Sequence, residues 1–322
     1  MADSSADKEL KGYVFKNYRK QFGRCLWPGQ SNCPAPVIKA HSIQRRGTLE
    51  SLAEDGHVVM PDLTFKGDDP PEVRFAEVGL KVASTFTGLC SYHDNKLFEP
   101  IDDAPLDFGD REQMFLLAYR SVLKEAHAST RAANRVQGTY DKAVRLGLSD
   151  PEEVTPEMLI ATDRIAAAYD RYLFKLRYDE AYLNGHFGTV EHAVLDLDAP
   201  VPSLAASTIF SMRRVGKDEA FVVLNTFPYN GHHVLVLSYF GEHGSFVEPL
   251  TSQIKTTFGR GRLKAASRLV VERCENFALR PSLYRSFTQA QRAAILNFFL
   301  LTLYDPAAGG RDDRIDLFER VP

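Results

Sequence analysis

Apolar and polar residues follow two different periods along this chain, and the period changes near residue 187. In Arg111–Asn134 and in Pro156–Asn184 the apolar residues recur at helical spacing, which predicts two long helices. Thr155 precedes a proline at the first helical position, which is a favourable helix start. The connection LGLSDPEEVTP is rich in turn residues. The sequence therefore predicts an antiparallel helical hairpin over residues 106–186.

Beyond about Thr189, short apolar runs separated by polar turns replace the helical pattern. Four runs predict strands, and they read HAVLDLD, STIFSMR, AFVVL and HVLVLSY. Turn sequences such as NTFPYNG separate them, as in hairpins. Further helices are predicted over 250–258, 265–276 and 288–303, the last with a Thr-x-x-Gln capping box. Residues 187–322 are thus predicted to form an α+β domain with a small antiparallel sheet.

The composition is that of a soluble globular protein, since 44% of the residues are hydrophobic and 25% are charged. The length of 322 residues predicts two or three domains. A net charge of −3 gives no general attraction to nucleic acid, so such contacts would need local basic patches. The polar start MADSSADKELKG has no apolar signal segment, and we expect residues 1–12 to form a mobile tail. Four cysteines without a secretory pattern favour a cytoplasmic protein, and we expect no membrane association.

Three of the four cysteines, with one histidine, form a candidate metal site in the first hundred residues. Cys25, Cys33 and Cys90 supply thiolates, and His93 follows Cys90 by one helical turn. Three thiolates and one imidazole are a common closed, tetrahedral zinc shell. Cys25 and Cys33 are more widely spaced than in most zinc knuckles, although the WPGQ turn between them can fold the loop back. His41 is an alternative ligand to Cys25, and unrelated thiols beside an exposed histidine are the alternative to any metal site.

Two polar residues flank the predicted zinc site. His41 follows Val-Ile-Lys-Ala and is expected at the end of a short strand, while Asp94 follows His93 at the start of a helix. A metal that joined this strand to this helix would bring His41 and Asp94 together. A neutral histidine beside a carboxylate-bound divalent cation such as Mg²⁺ suits phosphodiester hydrolysis, because the imidazole takes a proton from water while the cation stabilises the phosphate.

The order of these residues resembles the HNH endonuclease family. A cysteine pair, a strand that ends in histidine, a hairpin and Cys-x-x-(Cys/His) before a polar ligand are the shared features. More narrowly, AHSIQR with LCSYHDNKLF resembles HNH-like modules of bacterial proteins, some linked to phage defence. The resemblance covers about residues 20–102 and implies a treble-clef, or ββα-metal, fold for residues 1–105. It further implies that His41 is the general base, that Asp94 binds the catalytic metal, and that a structural zinc ion is held by Cys25, Cys33, Cys90 and His93.

The chain departs from the HNH pattern beside the expected base. Ala40 stands where the family usually has a carboxylate, and the hairpin has no asparagine to orient the base. Ser84, Thr85 or Thr87 would then have to take over that orienting role.

Three hypotheses follow. In the first, the protein is a metal-dependent nuclease that acts on DNA or RNA, and its helical hairpin or C-terminal domain binds a protein partner or a second copy. In the second, it is a non-catalytic zinc module that binds nucleic acid or protein. In the third, the C-terminal domain has an activity that the sequence does not reveal.

Overall fold

The structure is a computed structural model that describes residues 4–20, 22–29, 33–64, 72–213, 219–304 and 312–318. The chain divides into two compact units that interleave along the sequence. The first comprises Met1–Ala40, Phe86–Lys96 and Val122–Asn184, and the second comprises His41–Thr85, Leu97–Ser121 and Gly185–Pro322. Each unit therefore draws on three separate segments, and the three-domain division made from the sequence stays a prediction.

Helices and strands are numbered in chain order. The helices are α1 (Ser5–Arg19), α2 (Glu50–Leu52), α3 (Ser91–Asp102), α4 (Arg111–Arg145), α5 (Pro156–Leu183), α6 (Gly244–Thr256), α7 (Gly259–Arg273), α8 (Pro281–Ser286) and α9 (Gln289–Tyr304). The strands are β1 (Val37–His41), β2 (His57–Thr64), β3 (Glu72–Gly79), β4 (Thr85–Cys90), β5 (Val190–Asp196), β6 (Leu204–Met212), β7 (Ala220–Tyr229), β8 (His232–Phe240) and β9 (Phe277–Leu279). The predicted α+β class is confirmed.

A seven-stranded antiparallel sheet forms the centre of the second unit, in the order β3-β2-β9-β6-β7-β8-β5. The four strands predicted from the sequence are present as β5 to β8. The sheet is nevertheless larger than the small one predicted, because the β2–β3 hairpin joins it. Val59 of β2 pairs with Leu279 of β9, so this hairpin extends the C-terminal sheet.

The two faces of the sheet bury different residues of the same strands. In β8, Leu235 and Leu237 belong to one apolar cluster, whereas Val234 and Val236 belong to another. This division follows from the alternation of side chains along a strand. Because both faces are covered, β8 is a continuous apolar run rather than an alternating one. Helices α6, α7 and α9 contribute to the first cluster, which is the larger of the two.

The turn between β7 and β8 illustrates how short local patterns define this sheet. Tyr229 pairs with His232, which leaves Asn230 and Gly231 as a two-residue loop. Both loop residues have positive φ, of 48° and 78° respectively. A type I′ hairpin turn requires this conformation, and Asn-Gly is its preferred sequence.

The first unit begins with a helix where we expected a mobile tail at residues 1–12, and for the described part of that segment the expectation is wrong. Helix α1 starts after a capping box in which Ser4 Oγ accepts from the Asp7 N–H at 3.1 Å and Asp7 accepts from the Ser4 N–H at 3.0 Å. An ion pair of 2.5 Å between Glu9 of α1 and Lys142 of α4 then connects the two helices.

Both long helices predicted from the sequence are present. Helix α4 continues past the predicted end to Arg145. Helix α5 begins as predicted, since Thr155 Oγ1 accepts a hydrogen bond from the Met158 N–H at 3.2 Å. None of the described helices has the apolar length that a membrane span requires.

Candidate metal centre

The junction of β4 and α3 positions two of the predicted ligands. Cys90 is the last residue of β4, which pairs with β1, and His93 lies in the first turn of α3. The His93 N–H points to Cys90 Sγ at 3.5 Å. Cys90 is fully buried and His93 is 2% exposed. The Cys-x-x-His spacing therefore brings both side chains to one point, as the sequence predicts.

Backbone hydrogen bonds bring Cys25 to the same point. The Arg24 N–H donates to the Thr87 carbonyl at 3.2 Å, and the Leu26 N–H donates to the Gly88 carbonyl at 2.8 Å. These two bonds hold the segment around Cys25 alongside β4. The Cys90 N–H then donates to Cys25 Sγ at 3.4 Å. The third thiol is that of Cys33, which is exposed.

Four ligand atoms, three sulfurs and one nitrogen, lie within 4.8 Å of one another. His93 Nδ1 is 3.4 Å from Cys25 Sγ, 3.8 Å from Cys33 Sγ and 3.2 Å from Cys90 Sγ. A tetrahedron with Zn–S bonds of about 2.3 Å and a Zn–N bond of about 2.0 Å has S···N edges of roughly 3.5 Å. The geometry thus fits a zinc ion held through Nδ1. His41, the alternative ligand, is not among the four donors.

The protonation chemistry of the cluster also suits a cation. Desolvation, followed by the nearby Cys25 and Cys90 thiols, raises the pKa of Cys33 to about 12. The Cys33 thiol therefore resists ionisation unless a positive charge lies beside it, and a bound metal ion deprotonates its thiol ligands. Burial, and secondarily Lys96, lowers the pKa of His93, which favours the neutral imidazole that binds metals.

Trp27 covers the histidine ligand, a role that sequence reasoning missed. Its ring stacks on the His93 ring with centroids 4.6 Å apart and planes inclined by 2°. Lys96 Nζ lies 5.0 Å from the centroid of the indole, and Tyr182 packs against it edge-on. A Cβ at Gly29 would come within 2.4 Å of the Trp27 nitrogen, so any larger residue here would force the indole to move. The available signal was a single tryptophan between two ligand cysteines.

His41, the predicted base, is at the end of β1 as expected and is half-buried. Its Nε2 is 2.8 Å from the Leu80 carbonyl oxygen. The three residues expected to replace the missing asparagine do not make this contact. Their hydroxyls bond other groups: Ser84 to Ser42, Thr85 to the Val82 carbonyl and Thr87 to the Phe22 carbonyl. A backbone carbonyl therefore orients this imidazole.

Asp94, the predicted ligand of a catalytic metal, lies in the first turn of α3 as expected. It belongs to the first compact unit, whereas His41 belongs to the second. The pairing of these two residues therefore stays a prediction. Ala40, which precedes His41, has only a methyl side chain and therefore contributes no ligand.

A cavity of about 40 Å³ in the second unit, with a largely apolar lining, was not foreseen from the sequence. Its polar lining residues include Arg120 and Asn225, which are both buried. Arg120 makes a bidentate pair with Asp102, at 3.0 and 2.6 Å, and Asn225 accepts from Ser121 at 2.9 Å. Arg120 Nε and Asn225 Nδ2 have no hydrogen-bond partner among the described residues. The cavity can hold a few water molecules, since one needs roughly 10–15 Å³.

Comparison with known proteins adds no family to this description. No family model, curated protein or solved structure matches the chain. The HNH resemblance therefore stays a proposal. The predicted partners, which are DNA, RNA, a protein or a second copy, and the cytoplasmic location likewise stay predictions.

Proposed function

We propose that this protein is a metal-dependent nuclease of the HNH type that hydrolyses phosphodiester bonds of DNA or RNA. The observation that carries the proposal is the junction of β4 and α3. There a complete three-cysteine, one-histidine donor set adjoins the strand pair that ends in His41 and the helix turn that contains Asp94. A treble-clef, or ββα-metal, arrangement has this order of elements.

Zinc at the four-ligand cluster has a structural role in this proposal. Four protein ligands complete a tetrahedral shell and leave no position for water or substrate, unlike a catalytic zinc site. The ion would hold the segment that contains Cys25 and Cys33 against the β4–α3 junction. Hydrolysis would therefore take place beside this cluster rather than at it.

His41 is the general base of the proposed reaction. Since a carbonyl oxygen only accepts, the contact with Leu80 requires a proton on Nε2. In the neutral imidazole Nδ1 then has the free lone pair, which can take a proton from an attacking water molecule. The contact thus sets both the tautomer and the direction of the ring.

Asp94 is the proposed ligand of the catalytic cation. A divalent cation such as Mg²⁺ held there would stabilise the charge that develops on the phosphate and the leaving oxygen. Because Ala40 has no ligand atom, water and substrate oxygens would complete the coordination. A role in phage defence rests on the resemblance of AHSIQR and LCSYHDNKLF alone.

The second candidate is a zinc-stabilised module that binds nucleic acid or protein without cleaving it. The alanine before the expected base favours this alternative, since the usual carboxylate is missing. The two candidates share the zinc site and differ only in hydrolysis. A single substitution that leaves zinc bound can therefore separate them.

The test is cleavage of plasmid and single-stranded DNA and of RNA by the zinc-loaded protein, with and without Mg²⁺. We expect Mg²⁺-dependent cleavage that His41→Ala and Asp94→Asn abolish while zinc content stays at one ion per chain. His57→Ala is the matched control, because His57 lies exposed on β2 and its Nδ1 contacts the Asp55 carbonyl in its own turn.

Two results would separate the candidates. No cleavage with Mg²⁺, Mn²⁺ or any other divalent ion, together with retained zinc and measurable nucleic-acid binding, would establish the binding module instead. Cleavage that persists in His41→Ala would show that the base lies elsewhere. It would favour the third hypothesis, in which the C-terminal domain has the activity.

A further inference from the structure

Two basic segments meet where α1 and α4 contact each other in the first unit. Residues 10–24 contain five lysines and arginines and no acidic residue, and residues 126–140 of α4 contain two arginines and no acidic residue. In the whole chain acidic residues are the more numerous, with 42 Asp and Glu against 39 Lys and Arg. Folding therefore concentrates positive charge at one place in a protein that is negative as a whole.

Specific contacts hold the two segments together. Arg135 of α4 donates through Nη2 to the Tyr18 carbonyl, and its guanidinium carbon lies 4.6 Å from the centroid of the Tyr18 ring. Farther along, His127 Nε2 is 2.6 Å from the Phe22 carbonyl oxygen. The end of α1 and the segment that follows it are thus fixed along α4, so the cations of both keep their relative positions.

Five cations at this contact form what we call the α1–α4 basic patch, namely Lys16, Lys20, Arg24, Arg131 and Arg135. The first three are exposed and the two arginines of α4 are half-buried. None of them pairs with a carboxylate in the part of the chain that the structure describes. Several exposed arginines elsewhere do so: Arg213 pairs with Glu219, Arg285 with Glu54 and Glu77, and Arg314 with Asp312.

The positive charge of the patch is not compensated within the protein. Burial, and secondarily the nearby Arg131 cation, lowers the pKa of Arg135. The buried Nε of Arg135 has no hydrogen-bond partner among the described residues. Partly buried arginines usually have a negatively charged partner, and the guanidinium fork suits carboxylate or phosphate oxygens. An anion beside α4 would therefore offset the repulsion between Arg131 and Arg135.

The arrangement of the cations suits an extended polyanion. Lys16 and Lys20 are one helical turn apart, which is about 6 Å along the axis. Arg24 continues the series to the metal centre, because it directly precedes the ligand Cys25. A helix that binds a membrane surface exposes large apolar side chains beside its lysines. Among the described residues of α1, the only large apolar side chain that is exposed is Val14, at 37%.

We propose that the α1–α4 basic patch binds the phosphate backbone of a nucleic acid at the edge of the metal centre. Lysine and arginine contacts to phosphates fix the position of a nucleic acid without reading its sequence. The identity of this polyanion rests on the proposed function. The binding itself needs no hydrolysis, so it is compatible with both candidate functions.

The test is fluorescence anisotropy with the zinc-loaded full chain and labelled single-stranded DNA, duplex DNA and RNA. Without Mg²⁺ the measurement reports binding alone. Between about 50 and 300 mM NaCl, five phosphate contacts should give a slope of log affinity against log salt of about −4. Lys16→Gln/Lys20→Gln should make this slope less steep by roughly 1.5 to 2 and weaken binding by roughly 30-fold at about 0.1 M NaCl.

Arg74→Gln/Lys255→Gln is the matched control. Both of these cations are exposed and belong to the second unit, so the variant loses the same charge at a distant pair of positions. It should keep the affinity and the salt slope of the parent protein. Circular dichroism and zinc content should be unchanged in both double variants. Equal weakening by the two double variants would show a general effect of net charge and would overturn the proposal.

Other outcomes separate the patch from the proposed function. The patch proposal fails if the parent protein binds none of the three nucleic acids, or if it binds only vesicles that contain phosphatidylserine. It also fails if Lys16→Gln/Lys20→Gln binds and cleaves as the parent protein does, although the nuclease proposal would then stand. Binding that depends on the patch, without cleavage under any divalent cation, would instead support the patch and reject the nuclease.

Discussion

The cysteine-rich segment of the first unit and the sheet of the second are held in different ways. Phe277 and Leu279 in the sheet are fully buried within a large apolar cluster. By contrast, none of the described residues from 22 to 36 is buried. Burial of apolar area stabilises the sheet directly, whereas so little burial cannot offset the entropy of ordering a segment. The comparison indicates that the segment depends on its ligands and the sheet does not.

The largest expected effect is loss of the ion. Cys90→Ser, or chelation, should release zinc and disorder the segment around Cys25, because structural zinc contributes on the order of 10 kcal/mol to small metal-held folds. Trp27 is the only tryptophan and stacks on His93, so its fluorescence emission should shift to longer wavelength. Limited proteolysis should cut between residues 22 and 36 first.

Cys274→Ser is the control for this prediction. Its thiol is buried and donates to the Asn276 carbonyl at 3.1 Å, so it belongs to the sheet region and not to the cluster. Zinc content and Trp27 emission should be unchanged. If chelation unfolded the sheet together with the cysteine segment, the sheet would also depend on the metal, and the two regions would not be stabilised separately.

The second largest effect is expected when a buried ring is removed from the sheet. Phe277→Ala removes a fully buried ring from the larger apolar cluster, and we expect it to lower the free energy of unfolding by about 3–5 kcal/mol. Urea unfolding followed by circular dichroism measures this change. Zinc content in the folded variant should stay at one ion per chain, and loss of zinc below the unfolding transition would count against separate modes of stabilisation.

Acid should destabilise the sheet through two histidines. Burial lowers the pKa of His192 to about 4 and that of His233 to about 3, from an ordinary value of 6.5. Below pH 6.5 the unfolded chain binds protons that the folded chain does not. Their contribution is therefore complete above pH 6.5 and is lost as the pH falls, by roughly 3 kcal/mol from each at pH 4.

His233→Leu tests this pH dependence, because both ring nitrogens lack a hydrogen-bond partner among the described residues. The variant should show a smaller decrease in the free energy of unfolding between pH 7 and pH 4.5 than the parent protein. His57→Leu on the exposed end of β2 should keep the parent slope. If the free energy of unfolding decreased equally with pH in the parent protein and in His233→Leu, His233 would not be a source of the acid sensitivity.

The smallest effect is expected at the cover of the metal ligand. Trp27→Leu should weaken zinc binding by roughly 10- to 100-fold, the usual cost of losing a contact that orients a ligand. Gly29→Ala should act in the same direction, since its new methyl group would displace the indole. Competition with a chromogenic chelator measures both, and unchanged affinity in Trp27→Leu would limit the tryptophan to a packing role.

Local features of this molecule were predictable from the sequence, and distant ones were not. Thr155 and the Asn230–Gly231 turn act within a few residues, so their patterns predict the start of α5 and the β7–β8 hairpin. The capping box from Ser4 to Asp7 was equally local and was overlooked. The four candidate ligands, three cysteines and one histidine, predict a cluster because this set is a common zinc shell.

Two other features have no local signal. Pairing of β2 with β9 joins residues that are far apart in sequence, and no short window contains both strands. The Leu80 carbonyl that contacts His41 belongs to the backbone, which every residue has, so side-chain patterns cannot reveal it. The HNH pattern instead directs attention to a missing asparagine side chain.

The interleaving of the two units has a consequence for how the chain emerges from the ribosome. All four ligands have been synthesised once His93 appears, whereas β2 must wait for β9, roughly 200 residues later. A nascent chain could thus capture its ion early while the β2–β3 hairpin still has an open edge. A fragment that ends near residue 105 would keep that edge exposed permanently, and we expect it to aggregate even with its metal site intact.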